Sequence, residues 1–364
     1  MTTGARLHFG FSNLSLAHER LYGALGVALD APRLRVSASP AGTVRCDDAD
    51  TDTDVDVDAD AEEYARRAVA LLDVPGARVS VEDALPRHVG LGSGTQVALA
   101  TLTAVARAHG LAPGARERAP ALGRGGRSGV GVAAFERGGF VLDAGHPTTR
   151  FTTDRPADGD WTVPPVAARH PVPSGWRFLL VTPAVESGRS GDSEDAGMRA
   201  TVERADAGTG DRVAGVVLRR VLPAVATGSA EAFGAGVAEV GRLNGSWYAD
   251  EQGGVYRPPV GELVASLADD PAVFGAGQSS WGPTAYGVTD AAHADAARAA
   301  GEAALDAAGV DGAVRVVAGR NRGARVDVEA GDESEGEGGG EAEVEDDVDR
   351  ASDGPGPDGT DDAG

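Results

Sequence analysis

The stretch PRHVGLGSGTQVALA, Pro86 to Ala100, carries the residue types needed to hold an anion. Gly90, Gly92 and Gly94 allow backbone conformations closed to other residues and let a ligand approach the main chain. A helix starting near Gly94 or Thr95 turns unpaired N–H groups and a partial positive charge back into that loop, where the Ser93 and Thr95 hydroxyls add donors. Phosphate is the group such a loop binds. The Walker pattern is excluded because its Lys is absent. A dinucleotide fingerprint is excluded because no strand, turn and helix with an acid about twenty residues on fits. The competing reading is a helix entry made glycine-rich for close packing alone.

The elements around this loop alternate. Short β runs appear in ARLHFGF, GVALDAPRLRVSAS and ARVSVEDAL. The segment TQVALATLTAVARAHG is apolar on nearly every side until Arg107 and predicts a buried central helix. GVGVAAFERGGFVLDAG predicts a hairpin turning at ERGG. The Pro-rich WTVPPVAARHPVPSGW marks a boundary between a domain over 1–165 and a second over 174–327. The second half predicts a strand in WRFLLVTP, helices over 211–224, 229–244 and 290–308, a glycine-rich turn in FGAGQSSWGPTAYGV, and two strands in AVRVVAGRNRGARVDV. The pattern is α+β in two layers, without repeats.

Two segments stand outside that body. CDDADTDTDVDVDADAEE, 46–63, has ten acids and no basic residue, and predicts a solvated loop leading into the helix AEEYARRAVALL. It lacks the sharp-turn Gly and the bidentate Glu of a calcium loop. Residues 328–364 hold fifteen acids, one Arg and many Gly, and predict a disordered tail. Over the 364 residues, 56 acids oppose 33 basic residues, every one of them Arg, for a net charge of -23. Arg retained without Lys, beside abundant acids, predicts a salt-adapted cytoplasmic protein whose hydrated surface stays soluble when repulsion is screened. The balance excludes a nucleic-acid binder. The single Cys46 excludes an intrachain disulfide, and no stretch predicts a membrane span or a signal peptide.

PRHVGLGSGTQVALA resembles the phosphate loop of the GHMP kinase superfamily, and GAGQSSWGPTAYGV resembles its C-terminal glycine-rich loop, in the right order and nearly two hundred residues apart. Within that superfamily, ARLHFGF, GVALDAPR, GLGSGTQVALA, GRGGRSGVGVAAFERGGFVLDAGH, SGDSE and GQSSWGPTAYGV are similar to the β-ribofuranosylaminobenzene 5′-phosphate synthase family. The likeness runs from about Ala5 to Val326. It implies an N-terminal α/β domain with a left-handed βαβ unit, a ferredoxin-like C-terminal domain, and a site between them. The implied reaction joins phosphoribosyl pyrophosphate to 4-aminobenzoate with loss of pyrophosphate and CO₂, in methanopterin-type pterin biosynthesis. Mg²⁺ is the implied ion, with no organic cofactor, and a homodimer is common among the relatives.

On that resemblance, Gly90, Gly92, Ser93, Gly94, Thr95 and Gln96 cradle the pyrophosphate, with Gly125, Gly126 and Ser128 of GRGGRSG beside them. Arg6, with His8 next to it, and Arg124 are the candidates for the 5′-phosphate and the benzoate carboxylate, which Arg grips as a fork. Gly277, Gln278, Ser279 and Ser280 close the site. Asp143, or Asp192 and Glu194 of SGDSE, hold the metal or face the cationic centre. Each has an alternative: ion pairs for the arginines, scaffold roles for His8 and His146, a turn cap for Asp143, a solvated loop for SGDSE, and packing for Trp281 and Tyr286. Arg127 adds a cation where relatives are expected to carry a small polar residue. An ATP-dependent kinase of the same fold is the second reading, weakened by the missing Lys; a binding protein without turnover is the third.

Overall fold

The computed structural model describes residues 1–47, 55–149, 156–185 and 192–327, with side chains described from 60 and 195 onward in the second and fourth segments. The strands are β1 (Thr2–Asn13), β2 (Arg20–Pro40), β3 (Arg45–Asp47), β4 (Ala77–Asp83), β5 (Phe140–Asp143), β6 (His146–Pro147), β7 (Val166–His170), β8 (Trp176–Pro183), β9 (Gly275–Gln278), β10 (Ala285–Asp290) and β11 (Gly312–Ala318). The helices are α1 (Val55–Leu72), α2 (Ser93–Ala108), α3 (Ala115–Arg118), α4 (Val130–Glu136), α5 (Asp192–Arg204), α6 (Ala207–Val216), α7 (Leu222–Thr227), α8 (Ala230–Gln252), α9 (Val260–Ala268) and α10 (Ala294–Ala308). Met1–Asp327 packs as one compact unit. The tail expected to be disordered, 328–364, lies outside the described residues, as does the front of the acidic insert at 48–54.

Two sheets carry the fold. In the first, the 21-residue β2 pairs antiparallel with β1 from Tyr22 to Arg35, with β5 near its start and with β4 at its end, and the order is β3-β4-β2-β5-β7 with β1 and β6 also on β2. β3 and β4 are parallel with α1 between them, forming a βαβ unit. The second sheet is antiparallel in the order β11-β8-β10-β9. That is the arrangement of a ferredoxin-like β-α-β-β-α-β motif, with the helices α5 to α9 filling its first crossover and α10 its second. One core is shared by both sheets and takes in Trp176, Phe178, Leu180, Tyr286 and Val288 of the second; the other lies on the second sheet's opposite face. Leu7, Phe9, Leu25 and Phe140 join Leu99 and Leu102 of α2 in one core. Leu179 and Val181 pack with Leu263, Leu267 and Ala297 in the other.

Several local expectations change. The predicted hairpin in GVGVAAFERGGFVLDAG is helix α4 followed by β5, because a short run of Gly, Ala and Val is ambiguous by period alone and α4 finds α2 to pack against. The back of the acidic insert, from Val55, is the start of α1 rather than a loop. Part of the Pro-rich boundary is β7, paired with β5. The helix predicted over 211–224 is α6 and α7 joined by a π-turn over Val217–Val221, where Pro223 has no N–H to give. The helix predicted to end at Asn244 runs eight residues further, to Gln252. The glycine-rich C-terminal turn is flanked by paired strands β9 and β10. The second strand expected after Ala318 reduces to isolated bridges, Leu29 with Gly319 and Thr2 with Arg325.

Candidate active site

Strand β1 runs along the floor of the site. Its alternation sends Leu7 and Phe9 into the core and leaves Arg6 and His8 facing a cleft. A bulge between His8 and Gly10 inserts one extra residue, so Phe11 lines the cleft as His8 does. The phosphate loop lies across β1: the Arg6 amide donates to the Leu91 carbonyl at 3.0 Å, and its Nη1 donates to the Gly90 carbonyl at 2.6 Å. Gly92 then enters α2 in the left-handed region at φ 83°.

The C-terminal glycine-rich loop packs directly on the phosphate loop. Ser279 Oγ donates to the Gly90 carbonyl at 2.7 Å and accepts from the His8 amide at 3.2 Å, which joins three stretches of chain at one hydroxyl. The Thr284 amide donates to the Val89 carbonyl at 3.3 Å. A Cβ on Gly90 would lie 2.1 Å from the Ser279 carbonyl oxygen.

Together these elements enclose a cleft of about 630 Å³. Arg6 lies against Gly92 and Arg124 against Gly94, the Arg124 Nη2 3.0 Å from where a Gly94 Cβ would sit. The two guanidinium groups therefore flank the helix entry, where backbone N–H groups also point. Arg124 is held by Tyr64 of α1, whose hydroxyl accepts from it and whose ring centroid lies 5.2 Å from its Cζ. Arg67, Arg87 and Arg127 also line the cleft, against the carboxylates Asp60, Glu63, Asp158 and Asp195. Asp60 pairs with Arg87 at 2.7 Å, and Arg127 pairs with Asp195 of α5. In a chain of net charge -23, this is a place where arginines outnumber acids. A field of that sign concentrates anions.

Of the residues expected from sequence, Arg6, His8, Gly90, Gly92, Ser93, Gly94, Thr95, Arg124, Gly125, Gly126, Ser128 and Ser280 all border the cleft. Others lie behind it. Gln96 is fully buried, accepting from Thr3 Oγ1 at 2.7 Å and donating to the Gly131 carbonyl at 3.0 Å, so it ties β1 and α4 to α2. Replacing Gln96 with Leu strands both partners and is expected to lower stability by about 2 kcal/mol. Urea unfolding measures that loss, and pyrophosphate affinity should stay unchanged. Gly277 lies against Tyr286, and Gln278 caps the backbone of Arg257 at 3.0 Å. Asp143 is buried, with one oxygen accepting from the Gly129 amide at 2.8 Å and the other from the Gly145 amide at 2.9 Å, the turn-cap alternative. Burial raises its carboxyl to about 6, against the pull of those amides. Asp192 and Glu194 begin α5, and their side chains lie outside the described residues. Sequence reading missed Tyr64, Asp60 and Asp195; an Asp or Tyr on a charged helix carries no spacing signal that marks it as a cleft wall.

His8 is neutral. Burial, with Arg6 beside it, lowers its imidazole to about 3. An unfolded imidazole titrates near 6.5, so the unfolded chain binds this proton first and stability is lost as pH falls from about 6.5 towards about 3. Asp143 runs the other way: its raised carboxyl costs stability as pH climbs from 3.8 to about 6. His8→Phe is expected to remove the first contribution alone. Thermal melts across that range should show the gap between wild type and variant changing by about 1.4 kcal/mol per pH unit.

No helix among the described residues is long and apolar enough to cross a membrane. Residues 61–139 match the family described as GHMP kinases N terminal domain. Among solved structures, the fold is similar to Streptococcus pneumoniae phosphomevalonate kinase, with TM-score 0.61, 14% identity, and coverage of 87% of this chain and 98% of that one. It is also similar to Lactococcus lactis galactokinase, with TM-score 0.61, 10% identity, and coverage of 89% and 94%. At such identities the likeness is one of fold, the two-domain α+β GHMP kinase fold. Full-length relatives carry more. A Methanothermobacter thermautotrophicus protein named beta-ribofuranosylphenol 5′-phosphate synthase is 33% identical over 331 residues, 89% of this chain and 97% of its own. An Archaeoglobus fulgidus protein of the same name is 30% identical, over 80% of this chain and 87% of its own. A kinase reading rests on the fold alone, whereas identity sustained along both sheets places this chain in the beta-ribofuranosylphenol 5′-phosphate synthase family.

Proposed function

We propose that the chain is a decarboxylating phosphoribosyl transferase that joins phosphoribosyl pyrophosphate to a benzoate bearing an electron-donating para group. The observation that carries this reading is the meeting of both glycine-rich loops at Ser279, with Arg6 and Arg124 flanking the α2 entry. The para group is the amine of 4-aminobenzoate, or the hydroxyl that the relatives' name implies. Either pushes electron density to the opposite ring carbon, the one carrying the carboxylate.

That carbon attacks the anomeric carbon while the bond to pyrophosphate breaks and pyrophosphate leaves with the electron pair. The bond to the carboxylate then breaks, its pair returns to the ring, and CO₂ departs. No ring proton is removed, so the step asks for no general base. His8, its imidazole lowered to about 3, is a weak base, and Asp143 is committed to backbone amides, so both agree with that. The demand falls instead on charge: the loop amides and the two arginines neutralise the departing pyrophosphate. They also hold the sugar in line with the ring. Mg²⁺ brought in with the pyrophosphate would neutralise further charge. Asp60 and Glu63 line the cleft and would hold the ion by exchanging their arginine partners, Arg87 and Arg67, for it, one or two carboxylates beside substrate phosphates being what Mg²⁺ takes.

The test is pyrophosphate release in molar KCl with Mg²⁺, phosphoribosyl pyrophosphate and either benzoate, with product and CO₂ followed by mass spectrometry. Product that depends on both substrates supports the transferase. ATP consumption with a hydroxylated acceptor, and no pyrophosphate exchange, would replace it with the kinase reading.

A further inference from the structure

Beside the anion cleft lies a recess of about 40 Å³, and the two share His8, Phe11, Ser280 and Trp281. Its walls are aromatic. Asn244 of α8 fixes Phe11, accepting from its amide at 2.7 Å and donating to its carbonyl at 2.9 Å. Tyr248, one helical turn on, packs on Trp281 with ring centroids 4.7 Å apart. His8 stands edge-on to Phe11 at 4.9 Å. Only 5% of His8 is exposed, and its Nδ1 is buried with no hydrogen-bond partner among the described residues. A buried polar atom without a hydrogen bond in the wall of a recess marks a place for a ligand or a water.

The size of the recess decides what it takes. A benzene ring occupies an empty cavity of about 150 Å³. This recess admits a ring edge and one small polar substituent, while the rest of the ring stays at its mouth. We propose that the recess is the aromatic acceptor subsite: the ring lies at the mouth between Phe11 and Trp281, with its para hydroxyl or amine hydrogen-bonded to His8. The proposal rests on the transferase reading for the identity of the acceptor. Para substituent and carboxylated carbon sit at opposite ends of the ring. Seating the first in the recess turns the second towards the cleft, where the anomeric carbon must lie. A neutral imidazole pairs with either a hydroxyl or an amine. A meta substituent in the same place would swing the reacting carbon away.

The experiment titrates the full chain, in molar KCl with inorganic pyrophosphate present, with 4-hydroxybenzoate, 3-hydroxybenzoate and unsubstituted benzoate, reading the heat of binding by calorimetry. Binding is read rather than turnover because removing the para donor slows the chemistry whatever the site does. Wild type is expected to bind 4-hydroxybenzoate about tenfold more tightly than benzoate, the worth of one hydrogen bond. His8→Phe should abolish that preference while pyrophosphate binding persists. Equal binding of the acids by wild type, or a preference that survives His8→Phe, overturns the subsite. Should His8→Phe fail to fold, Trp281→Leu serves: it is expected to weaken both aromatic acids and spare pyrophosphate, and unchanged aromatic binding overturns the proposal. A protein that binds 4-hydroxybenzoate with the expected preference yet releases no pyrophosphate from phosphoribosyl pyrophosphate sinks the transferase reading and leaves the subsite standing. Turnover with an acceptor KM unmoved by His8→Phe does the reverse.

Discussion

Arg124→Ala is expected to lower kcat/KM for phosphoribosyl pyrophosphate by about two to three orders of magnitude, the usual effect of removing a preorganised group aimed at developing charge. The guanidinium lies against Gly94 at the α2 entry and is held from behind by Tyr64. It therefore spends nothing on ordering itself when the pyrophosphate begins to leave. Arg124→Lys should recover only part of the loss. An ammonium keeps the charge but gives neither the forked pair of donors nor the flat face that stacks on Tyr64. Steady-state kinetics with both substrates varied makes the check. A kcat/KM within tenfold of wild type for Arg124→Ala would remove this residue from the site and shift the burden to Arg6. Acceptor binding measured without phosphoribosyl pyrophosphate should change little, which separates lost charge from general damage.

Gly90→Ala is expected to produce the second large effect, on stability and activity together. Gly90 holds φ 92°, where an L side chain is strained, and the new Cβ would meet the Ser279 carbonyl oxygen at 2.1 Å. Backbone strain of that kind costs about 1–3 kcal/mol, and the contact adds to it, because neither partner is the end of a flexible side chain. Relief requires the two loops to part, which breaks the Ser279 hydrogen bond to Gly90 and moves the His8 amide it also holds. Urea unfolding and pyrophosphate titration read the two consequences. An unfolding midpoint equal to that of wild type would mean that the loops tolerate separation, and that their contact does not hold the site together.

What the sequence disclosed was tied to backbone chemistry. Glycines at 90, 92 and 94 before an apolar helix left an anion loop and a close-packed helix entry both open, and the resemblance of a second glycine-rich stretch near Ser279 favoured the first. Arg6 and Arg124, singled out on the family resemblance, do come together at the α2 entry. Gln96 and Asp143 were misassigned to the site for a physical reason: a polar residue beside a motif looks the same whether it faces a ligand or a buried amide, and only the partners at Thr3, Gly131, Gly129 and Gly145 decide. Helix α4 was hidden because GVGVAAF is too short and too uniform for its period to tell helix from strand. The aromatic recess was invisible in principle. Phe11, Asn244, Tyr248 and Trp281 come from β1, α8 and the C-terminal loop, and no local pattern links them.

The Ser279 hydroxyl reaches a partner 189 positions away in sequence. Contacts that close so long a loop come at a cost in chain entropy and form late, after local helices and hairpins. The cleft therefore exists only where distant stretches of chain have met, and a ligand that needs both loops needs the folded unit. On the proposed function, pyrophosphate is expected to raise the unfolding midpoint of the whole Met1–Asp327 unit rather than of one sheet, which a thermal melt with and without it reads.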